Sequence, residues 1–255
     1  MREPLIGIIP ARWASSRFPG KPLAMIYGQT MMARVVQRAL AAKVFDDVLV
    51  ATDHRDIASE AKRAGAAAIM TDSEIPNGTL RCHAALVQWE AETGKTARAI
   101  LNIQGDEPFV DAESLRDLAK LIDLPGAAVA TLGHNTRDAR LIADPNRVKV
   151  VTDLKGKALY FSRMPIPAGE DGAILHHGLY AFTRGAFEAI TLLHPTPLEK
   201  RESLEQLRWL EHGWRVQVGL TTSPSPSVDT PQDIENIDVC STPYPILFFR
   251  PALLL

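Results

Sequence analysis

Through the first half of the chain, short apolar runs of strand length alternate with longer stretches of helical period. Leu5–Pro10, Val48–Thr52, Ala67–Met70 and Ala97–Ile103 read as strands. Between and after them, Thr30–Lys43, Asp56–Ala64, Thr79–Thr93 and Ala112–Ile122 place apolar residues at helical spacing. Gly65 suits the C-terminal end of the second helix, and acidic residues occupy the first turn of the fourth. This alternation predicts an α/β fold, a mostly parallel sheet with helices on both faces.

The second half changes pattern. Val148–Arg163 reads as two strands around a turn at Asp153–Gly156, and "HHGLYAF" as a short strand. Two helices, Arg184–Leu193 and Leu198–His212, follow, and "WRVQVGL" returns as a strand. No Gly- or Ser-rich linker and no internal repeat divides the 255 residues. The expectation is one continuous domain over residues 1–255, with a mixed-sheet subsidiary lobe over about residues 133–213 and an atypical apolar tail at 240–255. That tail is broken by Pro243, Pro245 and Pro251, and each apolar piece falls short of the roughly 20 residues that span a bilayer. No membrane span is expected.

The net charge of −2 gives no basic footprint for nucleic acid, so local charge must serve any anion binding. Cys82 and Cys240 form no CxxC pair, which argues against a disulfide framework or a zinc site. The short run before Pro10 reads as a first strand and not as a signal-peptide core, so a cytoplasmic protein is expected.

In sheets of this kind, ligands bind at the carboxyl ends of the strands. Four such places carry unusual residues. The first, "PARWASSRFPGKPL", gathers Arg12, Ser15, Ser16, Arg17, Gly20 and Lys21 where the first strand ends. It is neither a P-loop nor a GxGxxG turn; its cations suit phosphates, and a solvated basic loop is the plainer alternative. The second, "NIQGDEP", presents Gln104, Gly105, Asp106 and Glu107, where Asp106 could hold Mg²⁺ or the acids could simply cap a helix. The third, "SVDTPQD", contains a helix start at Thr230, Pro231 and Asp233 that leaves Asp229 unexplained: a turn residue or a metal ligand. The fourth, "PNGTLRC", turns at Asn77–Gly78 into a helix whose first amides favour anions.

Taken together and in order, "IIPARxxSxRxPGKPL", "VATDH", "NGTxR", "NIQGDEP", "VKVVxDxxGxALYFSRxPIP", "HxGLYAF", "LExxExLEQLRxLxxG" and "VDTPQD" are far more specific. Over about residues 5–237 the chain resembles the 3-deoxy-manno-octulosonate cytidylyltransferase (CMP-Kdo synthetase) family. The resemblance implies a Rossmann-like nucleotide-diphospho-sugar transferase fold, a homodimer, and transfer of CMP from CTP to the keto-sugar acid Kdo for lipopolysaccharide biosynthesis. By resemblance, Arg12, Lys21, Asp106 and Asp229 are catalytic, and Asp106 and Asp229 carry Mg²⁺. Pro10, Ala11, Arg12, Ser15, Lys21, Gly78, Thr79, Arg81 and Gln104 bind the nucleotide; Arg163, His176, Tyr180, Glu205 and Gln206 bind the sugar acid. On the residues alone, His177 reads as an ordinary strand residue, Tyr180 also suits a core and Glu205 a solvated helix face.

Three positions depart from the family pattern. Leu80 stands where an acid is usual, Asn77 where serine is usual, and Leu175 where a basic residue often precedes the histidine. They leave two alternatives: the same reaction on a related acid, such as amino-Kdo or a sialic acid, or a catalytically weakened nucleotide-binding paralogue.

Overall fold

The computed structural model describes residues 3–14, 18–169, 171–224 and 227–236. Ser15, Ser16 and Arg17 of the basic loop, and the apolar tail at 240–255, lie outside them.

The first half forms β1 (Leu5–Ala11), a single 3₁₀ turn at Lys21–Leu23, a small ribbon of β2 (Met25–Ile26) and β3 (Gln29–Thr30), and α1 (Met31–Ala42). Then come β4 (Asp47–Thr52), α2 (Arg55–Arg63), β5 (Ala67–Met70), α3 (Gly78–Thr93), β6 (Ala99–Asn102) and α4 (Ala112–Ile122). The second half adds β7 (Val129–Thr136), α5 (Ala139–Ala143), β8 (Lys149–Thr152), β9 (Ala158–Ser162), β10 (Ala173–Thr183) and α6 (Arg184–Thr191). It ends with α7 (Pro197–Glu202), α8 (Gln206–Glu211), β11 (Val216–Leu220) and α9 (Pro231–Asn236).

The main sheet runs in the order β11-β7-β10-β6-β1-β4-β5, with β8 and β9 branching from β10. The β6-β1-β4-β5 half is parallel, as the alternation predicts. β10 runs against β6 and β7, so it is the reversed strand in an otherwise unidirectional path. Strands from residues 129–220 therefore extend the same sheet, and the branch is the β8–β9 hairpin.

β1 explains the two-sided core. Leu5, Ile9 and Ala11 face a cluster shared with α1, α2 and α4. Ile6 and Ile8 face the other cluster, which holds residues of α3, α6 and α8. A strand buried on both faces reads as a continuous apolar run. From β1 the chain winds outward to β4 and β5, then returns to β6 on the other side. The crossovers diverge there, which opens a crevice at the carboxyl end of β1.

One expected element is corrected. The predicted helix Leu198–His212 is two helices, α7 and α8, broken at Ser203 with φ 54° and ψ 48°. The break is held by Arg163, whose backbone N–H donates to the Glu202 carboxylate and whose guanidinium donates to the carbonyls of Glu202 and Ser203. The Leu204 N–H turns back to the Glu199 carbonyl. The bend places Glu205 against the start of α3, where it meets Asn77 and Thr79.

Candidate active site

β1 delivers Pro10 and Ala11 to the crevice, and Arg12 follows, exposed. Trp13 then stacks on His54, with ring centroids 4.0 Å apart and planes 17° from parallel. The loop closes when the Gly20 N–H donates to the Trp13 carbonyl at 3.1 Å. Gly20 has φ 69°, and a Cβ there would stand 3.2 Å from the Trp13 ring, so the turn requires glycine. The 3₁₀ turn that follows aims Lys21 inward.

The β6–α4 loop comes up beside β1. A Cβ on Gly105 would lie 2.6 Å from the Pro10 carbonyl oxygen, so only glycine allows the two backbones to approach this closely. Asp106 is thereby brought to Lys21. The Lys21 ammonium donates to Asp106 Oδ2 at 2.8 Å, to the Val228 carbonyl at 3.0 Å and to Asp229 Oδ1 at 3.3 Å. The Val228 N–H donates to the Asp106 carbonyl at 2.9 Å, which staples the segment before α9 to this loop. Asp233 completes the α9 cap by accepting from the Asp229 and Thr230 N–H groups at 2.8 and 2.7 Å. The Asp229 carboxylate lies outside that cap and faces Lys21.

The third wall is the start of α3. Asn77 caps it by accepting the Leu80 N–H at 2.8 Å. Leu80 is half-buried in the first turn. Arg81 is buried, donates to Thr71 Oγ1 at 2.6 Å and lies 3.5 Å from Asp53. These walls enclose a cleft of about 390 Å³ bounded by Pro10–Arg12, Lys21, Ile75–Gly78, Arg81, Gln104–Asp106 and Asp229. Three basic side chains and two carboxylates thus share one crevice, a composition suited to polyphosphate and a hard cation.

A family model described as "Cytidylyltransferase" matches residues 6–218. The chain belongs to the cytidylyltransferase family. It is 39% identical over 93% of its length to the mitochondrial 3-deoxy-manno-octulosonate cytidylyltransferase of Arabidopsis thaliana, covering 83% of that protein. It is 42% identical over 89% of its length to the 8-amino-3,8-dideoxy-manno-octulosonate cytidylyltransferase of Shewanella halifaxensis, covering 94% of it. A solved CMP:2-keto-3-deoxy-manno-octonic acid synthetase in complex with CTP matches with a TM-score of 0.82 and 36% identity, over 91% of this chain and 95% of that one.

Within this cytidylyltransferase, the nucleotide-side residues read from sequence converge. Pro10, Ala11, Arg12, Lys21, Gly78, Arg81 and Gln104 line the cleft with Asp106 and Asp229. Thr79 is buried behind it and donates to Glu205 Oε2 at 2.8 Å. The sugar-side residues are more dispersed. Glu205 accepts from Asn77 Nδ2 at 3.4 Å as well, and burial raises its carboxyl pKa against the opposing pull of the Thr79 hydroxyl. Tyr180 is buried, its hydroxyl pKa raised by burial and by the charges of Glu205 and Glu107. Tyr180 Oη, Asn102 Oδ1 and Trp209 Nε1 are buried with no hydrogen-bond partner among the described residues. Tyr180 lies opposite Asn102 in the sheet, and its ring packs edge-on to Trp209 at 4.8 Å. His176 shares a hydrogen bond with Thr131 Oγ1 at 2.9 Å, and burial pushes its pKa down to about 3. Gln206 is buried at the start of α8. Arg163 does not reach the cleft: its guanidinium donates to the carbonyls of Pro145, Glu202 and Ser203.

Sequence reasoning missed Asp53, Thr71 and Trp13. "VATDH" was visible as a motif, but nothing in it announced a contact with Arg81. The His134–His177 pair, 2.8 Å between ring nitrogens, was missed as well, because it joins β7 to β10 across 43 residues.

Proposed function

We propose that this protein joins CTP to 3-deoxy-D-manno-octulosonate, giving CMP-Kdo and pyrophosphate for lipopolysaccharide biosynthesis. The observation that carries the reading is the Lys21 ammonium held between Asp106 and Asp229 at the carboxyl end of β1, inside a cleft also lined by Arg12 and Arg81. The whole-length similarity to Kdo-family cytidylyltransferases supports the sugar acid.

In this reading the anomeric hydroxyl of the sugar acid attacks the α-phosphorus, and the bond to the β-phosphate oxygen breaks in line with it. Arg12 and Lys21 hold the outer phosphates that leave as pyrophosphate. Pro10, Ala11, Gly78, Arg81 and Gln104 hold the nucleoside end. The cleft brings two anionic reactants together, so orientation and charge compensation supply much of the rate.

The residues fit Mg²⁺. Two carboxylates already converge on one cationic nitrogen, and Mg²⁺ sites commonly combine one or two carboxylates with substrate phosphates. Mg²⁺ bound by Asp106 and Asp229 would neutralise phosphate charge and lower the pKa of the attacking hydroxyl. The Lys21 ammonium, which borders the same cleft, would offer its charge to a phosphate oxygen.

On the sugar side, Glu205, the Tyr180 hydroxyl and Asn102 offer polar groups suited to a polyhydroxylated acid. The 42% identity to an 8-amino-3,8-dideoxy-manno-octulosonate cytidylyltransferase favours that amino sugar acid as the second candidate. A homodimer is part of the proposal, carried by the family resemblance. A cytoplasmic setting agrees with the buried free thiol of Cys82; no described helix is long and apolar enough to cross a membrane.

Pyrophosphate release with CTP, Mg²⁺ and a panel of Kdo, its 8-amino analogue and a sialic acid tests the reading. Fastest turnover with Kdo is expected. Preference for another acid overturns the substrate, and tight CTP binding with no turnover on any acid favours a weakened nucleotide-binding paralogue.

A further inference from the structure

We infer that Asp53 is a positioning residue that fixes the two ends of the nucleotide cleft relative to each other; this rests on the CTP reading above. Asp53 follows β4, and its side chain is 7% exposed. Oδ1 accepts the Trp13 N–H at 2.9 Å, and Oδ2 lies 3.5 Å from the Arg81 guanidinium. One carboxylate therefore touches both the basic loop after β1 and the first turn of α3.

The surroundings make this bridge stiff. The Trp13 ring lies flat on His54, the residue after Asp53, and its other neighbour is Gly20 at the far end of the loop. The Trp13 carbonyl holds the Gly20 N–H. Arg12 and Lys21, which flank this closed loop, are thus referred back to the Asp53–His54 corner. On the other side, Arg81 is 2% exposed and has two anchors, Asp53 and Thr71 Oγ1, the latter at 2.6 Å. Arg81 Nη2 is the nitrogen 3.5 Å from Asp53 Oδ2 and makes no hydrogen bond among the described residues, so Asp53 acts on it as a counter-charge. A buried guanidinium keeps one orientation only if a carboxylate compensates it and a second acceptor fixes its plane. Asp53 and Thr71 do both, and Asp53 alone also reaches the phosphate-side loop.

Two substitutions separate these functions. Asp53→Asn keeps an oxygen for the Trp13 N–H but removes the charge facing Arg81. Asp53→Ala removes both. Calorimetric titration of CTP and CMP into each protein reads the difference. Asp53→Asn should weaken CTP and CMP by the same factor, about tenfold, as expected for losing a charged buried contact at the nucleoside end. Asp53→Ala should weaken CTP several-fold further than CMP, because the loop holding the outer phosphates is released too. The KM for the sugar acid should be unchanged in Asp53→Asn. A purely structural role would lower the melting temperature without splitting CTP from CMP.

Equal losses of CTP and CMP in Asp53→Ala overturn the bridging role. If Asp53→Ala does not fold, Asp53→Asn decides: an equal loss of about tenfold for CTP and CMP is expected, and wild-type binding of both nucleotides overturns the inference. Wild-type protein that binds no CTP overturns the proposed function and this inference with it. Wild-type protein that binds CTP, matched by Asp53→Asn, overturns the inference alone.

Discussion

Lys21 holds three acceptors in the free protein, two of them the carboxylates proposed to meet Mg²⁺. Its removal therefore acts on the outer phosphates and leaves two like charges facing each other. Lys21→Ala should weaken CTP about tenfold more than CMP, the scale of one charge-assisted hydrogen bond. Isothermal titration of both nucleotides checks this, and equal losses would mean that Lys21 serves only the loop. Glu205 carries a prediction of opposite sign for stability and function. Burial raises its pKa, so the native state binds this proton more tightly than the unfolded chain. The ionised form then costs stability at neutral pH, and that cost vanishes as pH falls below the ordinary carboxylate range. Glutamine can keep both contacts, since the Thr79 hydroxyl can accept as well as donate. Glu205→Gln should melt higher than wild type at pH 7–8, converge with it near pH 4, and turn over more slowly. A lower melting temperature at pH 8 contradicts the burial argument.

At the level of elements, what could be read from the chain depended on how local the cause was. β1, β4 and β6 were legible because strands buried on both faces leave short apolar runs; β5, an edge strand with only Ile69 buried, was legible from its short apolar run alone. The α9 cap was legible because Thr230, Pro231 and Asp233 make it within one turn. β7 was not: Gly133 weakens its strand pattern, yet a Cβ there would stand 2.9 Å from the Leu175 carbonyl, so the glycine serves a close approach by β10. The split between α7 and α8 was hidden because Arg163, some 40 positions away in sequence, holds it. Much of the cleft was legible from motifs; the Asp53–Arg81 bridge was not, since short polar residues after a strand look like ordinary turn residues. Ser203 sits at the α7–α8 break in the left-handed region. Ser203→Gly should relieve about 1 kcal/mol of backbone strain, which for a chain of this size corresponds to a rise of about 2–4 °C in melting temperature. No rise in a thermal scan would mean that Ser203 makes a compensating contact.

For the molecule as a whole, acid sensitivity is built into the sheet. Burial pushes His176 and His177 down to about 3, with neighbouring positive charge adding to the effect: His177 beside the first, His134 and Arg147 beside the second. His134 is lowered as well, by burial and Arg147. The folded protein keeps these rings neutral, while the unfolded chain protonates them near pH 6.5. Their contribution to stability is therefore complete above about pH 6.5 and lost as pH falls toward 3. The melting temperature should fall steadily below pH 6.5, and His177→Gln should flatten the fall. An unchanged slope in His177→Gln would remove His177 from this account.

The central claim is that Asp106 and Asp229, joined through Lys21 at the carboxyl end of β1, form the reaction centre. Initial rates of pyrophosphate release from CTP and Kdo at saturating Mg²⁺ test it most directly, with Asp106→Ala and Asp229→Ala compared with wild type. Each variant should keep its cooperative melting transition and lose about 100-fold or more in rate, the scale for removing preorganised charge stabilisation. Rates within about tenfold of wild type in folded variants would contradict the assignment.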